Sequence, residues 1–428
     1  MKKLMSLGLA LVLALSIVSF AGAQSSPVVI NFWHSFGSGA NLDAINKIIA
    51  DFNVLNAGKY EVVGTYQGNY AEILGKLTVG YAANEVPAVS STDSVDDPQL
   101  INMGMLINLT EYAAQHDPDY DFSVFFDGLM NYGTGADGNI YALPFGRSTP
   151  LMYLNMDIIK QATGEEKIPT NREEFLEVLK AVRDNTNYQP FSAPIITWYF
   201  ANFLTSEGYS FLSPDGLTSY LGVDDGALYS FSFWKSLRDE GLYVPPPVTQ
   251  GSAVNDDFVQ GKTAIIFQST GNLTLLTNNA NFKLAAGFLP AGKKYCVQTG
   301  GCNMIVPNKA SAEEQAGAWE FMKYASSLEV NAFVNEATGY MLTHKDSSQL
   351  ESVQKLWVEK PLYKVAYDQL QYVDDVYTSP YFAELNLEIV NLLSSLLQDD
   401  KITAQEAYDQ LMLVCENLFP GGNAKTLP

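Results

Sequence analysis

The sequence has few of the residues that metal and redox chemistry need. It contains three cysteines and three histidines in 428 residues, and neither type shows the paired spacing of a metal site. It has no Walker loop, no dinucleotide-binding fingerprint and no Gly-x-Ser-x-Gly nucleophile elbow. We therefore expect no metal, no cofactor and no catalytic activity. Carboxylates are abundant, so a secreted carbohydrate-active enzyme that uses an unmarked pair of them is the alternative.

Positive charge is also scarce. The chain has 25 lysines and arginines against 47 aspartates and glutamates, which gives a formal net charge of −22. Nucleic acids and anionic membranes attract basic proteins, so we expect neither as a partner. Beyond residue 23 no apolar run is long enough to cross a bilayer.

The long apolar run that begins the chain has the layout of a secretory signal peptide. Lys2 and Lys3 supply the positive charge, residues 4–20 are apolar, and residues 21–23 form a small-residue cleavage site. No cysteine lies near that site, so a lipid anchor is disfavoured. We expect residues 1–23 to be removed and the rest to be exported to a bacterial periplasm.

The three cysteines lie late in the chain. In an oxidising compartment, Cys296 and Cys302 can pair across the Thr-Gly-Gly turn between them, or both can stay as thiols. Cys415 shares an apolar helix face with Tyr408 and Leu411. We expect it to pack in a core.

Strands and helices alternate in the first part of the mature chain. Strands are predicted at residues 28–33, 60–66 and 87–92, with helices at 42–52 and 70–81 between them. This order is typical of a mainly parallel α/β lobe, in which ligands bind beyond the carboxyl ends of the strands. Three polar segments follow these strand ends: His34-Ser35, Tyr66 to Tyr70, and Asp93-Ser94.

The stretch from Ala142 to Asp157 is central to the predicted architecture. Strands are predicted at residues 141–145 and 151–154, and a helix begins at residues 155–157. The loop between the strands, Gly146-Arg147-Ser148-Thr149-Pro150, offers hydroxyls, a guanidinium and backbone N–H groups. We expect this loop to lie in a cleft between two lobes and to bind a small polar solute.

The second half of the chain is rich in predicted helices. Capping boxes at residues 170–173 and 311–314 begin two of them, and others cover residues 224–240, 381–397 and 403–418. A strand at residues 303–306 is expected to return to the first lobe. A hydroxyl-rich loop at 269–272 follows a predicted strand, and residues 298–301 precede the strand at 303–306. The hydroxyls and aromatic faces of such loops at element ends suit a polyol, a sugar or a phosphate ester.

A set of motifs in this order resembles a known family. The motifs are Trp33-His34-Ser35 with a Gly-rich loop, Tyr66-Gln67-Gly68-Asn69-Tyr70, Pro144-Phe145-x-x-Ser148-Thr149-Pro150-x-x-Tyr153-x-Asn155-x-Asp157, Ser269-x-Gly271 and Thr338-Gly339-Tyr340. They are similar to those of the extracellular solute-binding proteins of ABC importers. Within that family the resemblance is greatest to the branch that binds sn-glycerol 3-phosphate and glycerophosphodiesters.

The resemblance implies a fold and a mechanism. The expected fold is α/β, two-lobed and periplasmic-binding-protein-like (type II), with several chain crossings at the hinge. One lobe is expected to contain residues 25–148 and 302–345, and the other residues 149–301 and 346–428. The lobes of this monomer would close on the solute and dock on a membrane permease. The expected solute is glycerol 3-phosphate or a glycerophosphodiester, with a neutral mono- or oligosaccharide as the alternative.

The resemblance also implies ligand-binding positions. Those that carry over directly are Tyr70, Ser148, Ser269, Gly301 and Tyr340. A tryptophan pair of the family falls on Ile195 and Trp198, so one tryptophan is kept. Core packing is the alternative role for Trp198.

Two charged positions depart from the family pattern. The family's glutamate falls at Ser94, and the neighbouring Asp93 is the expected substitute. The family's late arginine falls near Leu387, in a stretch without lysine or arginine. Arg147 is the candidate replacement as a phosphate-binding cation, with a surface ion pair as its alternative role.

Overall fold

A computed structural model describes residues 26–247, 252–374, 378–398 and 401–427. The predicted signal peptide at residues 1–23 lies outside these ranges. Within them, no helix is long and apolar enough to cross a membrane.

The strands of the described residues form two separate sheets. In chain order they are β1 (Val28–His34), β2 (Tyr60–Tyr66), β3 (Val89–Asp93), β4 (Ala142–Ser148), β5 (Pro150–Asn155), β6 (Gln189–Ser192), β7 (Thr263–Ser269), β8 (Leu284–Gly287) and β9 (Gly300–Ile305). The first sheet has the order β2-β1-β3-β9-β4, and the second has the order β6-β7-β5-β8.

The first sheet is parallel over the three strands that the sequence predicts to be parallel. β1 pairs with β2 and β3 in parallel, whereas β9 is antiparallel to both β3 and β4. The predicted return of a late strand to this sheet is therefore confirmed. Because β9 and β4 run antiparallel to each other, the sheet is mixed.

The two sheets are joined directly through the central stretch. The predicted five-residue loop at 146–150 is wrong, because Arg147 and Ser148 continue β4 by pairing with Gly301 and Gly300. Thr149 alone separates β4 from β5. β5 begins with Pro150 opposite Ser269, so the ends of β4, β5, β7 and β9 meet at this point.

Helices surround both sheets. They are α1 (Gly39–Leu55), α2 (Tyr70–Ala83), α3 (Asp97–Asn102), α4 (Leu109–His116), α5 (Asp127–Met130), α6 (Met156–Thr163), α7 (Arg172–Asn185), α8 (Thr197–Thr205), α9 (Gly226–Asp239), α10 (Ser252–Val259), α11 (Leu273–Asn279), α12 (Ala312–Ala325), α13 (Leu328–Thr338), α14 (Glu351–Glu359), α15 (Leu362–Gln369), α16 (Phe382–Leu397) and α17 (Ala404–Leu418). Short 3₁₀ turns occupy, among others, Ser94–Asp96, Val223–Asp225 and Thr270–Asn272.

Helix starts agree with the predicted caps at one site and differ by one residue at another. Ser311 and Glu314 form the predicted capping box of α12. At α7 the cap is Asn171, whose side chain accepts a hydrogen bond from the N–H of Glu174 at 3.0 Å. The predicted box began one residue earlier, at Thr170, and is wrong because that register would place Glu173 rather than Glu174 at the third position.

The cysteines are all free and buried. Cys296 lies 3.3 Å from the hydroxyl of Thr205, whereas Cys302 packs in the core of the first sheet. The two thiols therefore do not form the disulfide that their spacing allows. Cys415 packs in the core of the second sheet, as predicted.

Candidate functional site

A cavity of about 460 Å³ lies between the two sheets, at the ends of strands from both. Strands β3, β4, β7 and β9 and helices α1, α2, α8 and α16 bring residues to its wall. Seven of the residues selected from the sequence line it: Tyr70, Asp93, Ser148, Trp198, Ser269, Gly301 and Tyr340. The topology therefore collects residues that are up to 270 positions apart in the chain.

Asp93 supplies a carboxylate at the end of β3. Its Oδ1 accepts a hydrogen bond from the N–H of Val95 at 3.5 Å, which fixes the start of the 3₁₀ turn. Burial raises the pKa of Asp93 to about 6, while this backbone bond and the charge of Arg147 oppose the rise. At neutral pH Asp93 is therefore mainly ionised and can accept hydrogen bonds from solute hydroxyls.

Two phenols lie on the wall beside Asp93. Tyr70 begins α2 directly after the capping residue Asn69, and Tyr340 follows Gly339, the left-handed residue that ends α13. Burial raises the pKa of both phenols above the ordinary value. Each phenol therefore keeps its proton and can donate and accept a hydrogen bond.

Trp198 presents its indole against the backbone of β9. Its Nε1 donates to the carbonyl oxygen of Gln298 at 2.8 Å, and the ring lies so close to Gly300 that a Cβ there would be 3.0 Å away. Gly301 has φ +81°, and a Cβ on it would lie 2.1 Å from the carbonyl oxygen of Gly146. The backbone at this position can approach β4 only because the residue is glycine.

The turn after β7 connects the two sides of the cavity. Ser269 accepts a hydrogen bond from the N–H of Gly271 at 3.1 Å, and the Gly271 carbonyl accepts one from Asn41 Nδ2 of α1 at 3.3 Å. A Cβ on Gly271 would lie 2.7 Å from the ring of Tyr340. Residues from the second sheet and from the helices of the first therefore touch at the cavity wall.

Arg147 does not reach the cavity, which contradicts its predicted role as the phosphate-binding cation. Its side chain is fully buried, and it donates to the carbonyl oxygens of Gly300 and Leu129 and to the side chains of Asn303 and Thr299 at 2.5–3.2 Å. The alternative of a surface ion pair is equally wrong. The guanidinium lies behind the wall because the strand β4 continues through this residue.

Ser94 is also absent from the wall. It is the first residue of the 3₁₀ turn after β3, its side chain is fully buried, and its hydroxyl has no hydrogen-bond partner among the described residues. The structure brings Asp93 to the cavity in its place.

A buried polar network lies behind Asp93. The Asp97 carboxylate accepts hydrogen bonds from the Thr92 hydroxyl and from Asn303 Nδ2, each at 2.7 Å. Burial raises the pKa of Asp97 to about 7, against the effect of these two bonds and of Arg147. Asp96 is also buried, and its burial together with its two acidic neighbours raises its pKa further. Arg147 is the cation that partly offsets these carboxylates.

The wall itself carries no positive charge. None of the described residues that line the cavity is lysine, arginine or histidine. Helix α16, where the family pattern places an arginine, contributes Phe382, Asn386 and Val390, and Leu387 beside them is 58% exposed. The internal residues outside the described ranges, 248–251, 375–377 and 399–400, include no lysine, arginine or histidine. The described residues also contain no group of side chains suited to a metal ion.

Sequence reasoning missed several residues of the wall. Gly271, Asn272, Thr299 and Gly300 line the cavity, although none of them was selected as a ligand-binding residue. Their position next to Ser269 and Gly301 was a usable signal. Val95, Ile196 and Thr197 had the same signal, because they lie within two residues of Asp93 or Trp198. The remaining wall residues carried no such signal, because they project from the helices α1 and α16: Asn41, Phe382, Asn386 and Val390.

Comparisons with known proteins agree with this geometry. A family model described as bacterial extracellular solute-binding protein matches residues 47–363. The sn-glycerol-3-phosphate-binding periplasmic protein UgpB of Brucella abortus (strain 2308) is 25% identical over 345 residues, which cover 77% of each chain.

Two solved structures share the fold. UgpB from Mycobacterium tuberculosis in complex with glycerophosphocholine has a TM-score of 0.81 at 24% identity and covers 91% of this chain and 97% of its own. The GacH receptor of Streptomyces glaucescens, solved unliganded and with acarbose, has a TM-score of 0.81 at 18% identity and covers 92% of this chain and 98% of its own. The predicted α/β type II fold is therefore confirmed.

Proposed function

Because the chain belongs to the family of bacterial extracellular solute-binding proteins, we propose that it is the substrate-binding component of an ABC importer. Its solute is glycerol 3-phosphate or a glycerophosphodiester. The observation that carries this proposal is the cavity between the two sheets, whose wall combines hydroxyls, phenols, an indole and one carboxylate. These groups match the hydroxyls and the carbon skeleton of a glycerol moiety.

The identity of the solute rests on the relatives and on the wall together. A relative at 25% identity is named for binding sn-glycerol 3-phosphate. The positions expected from that branch, among them Tyr70, Ser148, Ser269 and Tyr340, lie on one wall. A neutral mono- or oligosaccharide is the second candidate, because the wall lacks a cation and the GacH receptor, which has the same fold, was solved with acarbose.

Capture by closure of two lobes follows from the position of the cavity. We assign residues 25–148 and 302–345 to one lobe and 149–301 and 346–428 to the other. The contact of Asn41 with Gly271 then joins the lobes. A solute that touches Asp93 on one lobe and Trp198 on the other stabilises the closed arrangement by contacts that an open arrangement cannot make.

The remaining features of the proposal follow from the same role. Residues 1–23 direct export to the periplasm, and the mature chain acts as a monomer and delivers its solute to a membrane permease. The cavity binds its solute unchanged, without catalysis. An enzyme would turn over a glycoside or a phosphodiester instead.

Titration calorimetry tests the proposal. The mature chain is purified through an unfolding step, so that carried solute is removed, and is then titrated with glycerol 3-phosphate, glycerophosphocholine and a panel of neutral sugars. We expect one-to-one binding of at least one of the two phosphate compounds. Binding of a sugar alone would select the second candidate, and chemical turnover of any of these compounds would contradict the proposal of a binding protein.

A further inference from the structure

The cavity wall carries a negative charge that no cation on the wall offsets. Among the described residues that line the cavity, Asp93 is the one carboxylate, and none is a lysine, an arginine or a histidine. Its side chain accepts hydrogen bonds from the backbone N–H groups of Val95 and Ser94. Its charge is therefore directed to the cavity without an ion pair.

Arg147 cannot supply the missing positive charge. Four of its N–H bonds are directed to Gly300, Leu129, Asn303 and Thr299, and these partners fix the guanidinium behind the wall. Turning it toward the cavity would leave the buried oxygens of these groups without donors, which is unfavourable. Burial raises the pKa of Asp96 and of Asp97, which lie behind Asp93, and neither of them adds a positive charge. The charge of Arg147 offsets part of the Asp93 charge, but from behind the wall.

We propose that Asp93 makes this cavity a charge filter, which admits solutes without net negative charge and rejects dianions. The inference rests on the proposed function and narrows it to zwitterionic glycerophosphodiesters and neutral polyols or sugars. A phosphate monoester is mainly a dianion above its second pKa of about 6. Each of its charges would be repelled by Asp93 inside a low-dielectric wall.

The wall offers a positive reason for the same selection. A zwitterionic diester carries a cationic head group beside its phosphate, and cations are attracted to carboxylates and to aromatic faces. Asp93, Trp198, Tyr70, Tyr340 and Phe382 provide one carboxylate and four aromatic rings on the same wall. The wall offers hydrogen-bond donors and acceptors to the glycerol hydroxyls of the diester and of the monoester alike. The two solutes therefore differ in how their charges interact with the wall.

Calorimetry at pH 7.5 with two probes tests the filter. Glycerol 3-phosphate and glycerophosphocholine are titrated into the wild-type mature chain, Asp93→Asn and Glu165→Gln, a control that removes an exposed carboxylate outside the cavity. At an effective dielectric constant of about 20, a unit charge roughly 8 Å away changes affinity by more than tenfold. We therefore expect wild type to bind the choline ester at least tenfold more tightly than the monoester.

The variants separate the filter from the proposed function. In Asp93→Asn, the ratio of the affinity for glycerophosphocholine to the affinity for glycerol 3-phosphate is expected to fall about tenfold or more. In Glu165→Gln, this ratio is expected to stay unchanged. Equal or tighter binding of the monoester by wild type, or an unchanged ratio in Asp93→Asn, overturns the inference while the proposed function stands. If neither phosphate compound binds, the proposed phosphate ligands fail, and a measurement that needs no ligand decides the filter.

That measurement is quenching of Trp198 fluorescence by iodide and by neutral acrylamide at constant ionic strength. The fluorescence of Trp198 is isolated by subtracting the signal of a chain with Trp198→Phe from the signal of the same chain with Trp198 intact. If Asp93 repels anions, Asp93→Asn raises the ratio of iodide to acrylamide quenching about twofold or more. An unchanged ratio overturns the inference.

Discussion

Replacement of Arg147 by methionine distinguishes a structural role from a ligand-binding role for this residue. Methionine has a similar length and no hydrogen-bond donors. The substitution leaves the carbonyl oxygens of Leu129 and Gly300 and the side chain of Asn303 without their donor, and it leaves buried Asp97 without its nearby cation. Removing one member of a buried charged network costs about 3–5 kcal/mol.

The expected loss can be read as a thermal shift. Unfolding entropy is about 2.1 cal/mol/K per residue, so a cooperative chain of roughly 400 residues loses about 1 °C in Tm per kcal/mol. Arg147→Met should therefore lower Tm by about 3–6 °C in differential scanning calorimetry. The control is Arg183→Met, because Arg183 forms an exposed ion pair with Asp184 at 2.7 Å and its loss costs less than about 1 kcal/mol.

The alternative result is equally clear. If Arg147 were the phosphate-binding cation, Arg147→Met would keep the wild-type Tm and lose affinity for phosphate compounds more than for neutral sugars. That outcome would refute the burial argument.

Three further substitutions test other parts of the structure. Trp198→Ala removes the indole from the wall and should weaken solute binding by about 1–3 kcal/mol, or roughly 5- to 150-fold in Kd by calorimetry; a change below twofold would contradict the assignment. Gly301→Ala should lower Tm much more than Gly138→Ala does. Both glycines have positive φ, but only a Cβ at Gly301 would meet a backbone oxygen, at 2.1 Å. Equal decreases in Tm would contradict the close approach of the backbone at Gly301. Asp97 binds a proton more tightly in the folded chain, with a pKa of about 7, than in the unfolded chain, at 3.8, so its contribution to stability falls as pH rises through 7. Asp97→Asn should therefore flatten the decline of Tm between pH 5 and 8 relative to wild type. The opposing slope from His34, whose pKa is lowered to about 4, is the same in both chains, so an unchanged slope in Asp97→Asn would contradict this explanation.

The alternation of strands and helices made much of the fold predictable. β1, β2 and β3 lie close to their predicted positions because each is a short segment with β-branched residues and has Gly, Pro or Ser close to its ends. The carboxyl ends of these strands then identified Tyr70 and Asp93 as wall candidates. The same strand ends also offered His34, Ser35 and Tyr66, which do not line the cavity, so the family resemblance was needed to select Tyr70 and Asp93.

Arg147 shows why the rest of the site was not predictable in the same way. Its loop looked like a flexible binding loop because Gly, Ser, Thr and Pro are typical of turns. In the structure Arg147 and Ser148 pair with Gly301 and Gly300, which lie more than 150 residues later. Such a long-range pairing decides whether the guanidinium faces the solute or the core, and no local pattern records it.

The wall residues on helices were missed for a related reason. Asn41 and Asn386 lie in helices that contain other asparagines, Asn46 and Asn53 in α1 and Asn391 in α16, and nothing in their own segments distinguishes them. Their contribution depends on how α1 and α16 are placed against the opposite sheet. Only the tertiary arrangement supplies that information.

A crystal structure of the mature chain with the solute that binds most tightly in calorimetry would show directly where the solute binds. We expect this solute to occupy the cavity between the two sheets, with its hydroxyls within hydrogen-bond distance of Asp93 and its carbon skeleton against Trp198. A solute bound elsewhere on the chain, with the cavity free of it, would contradict the account.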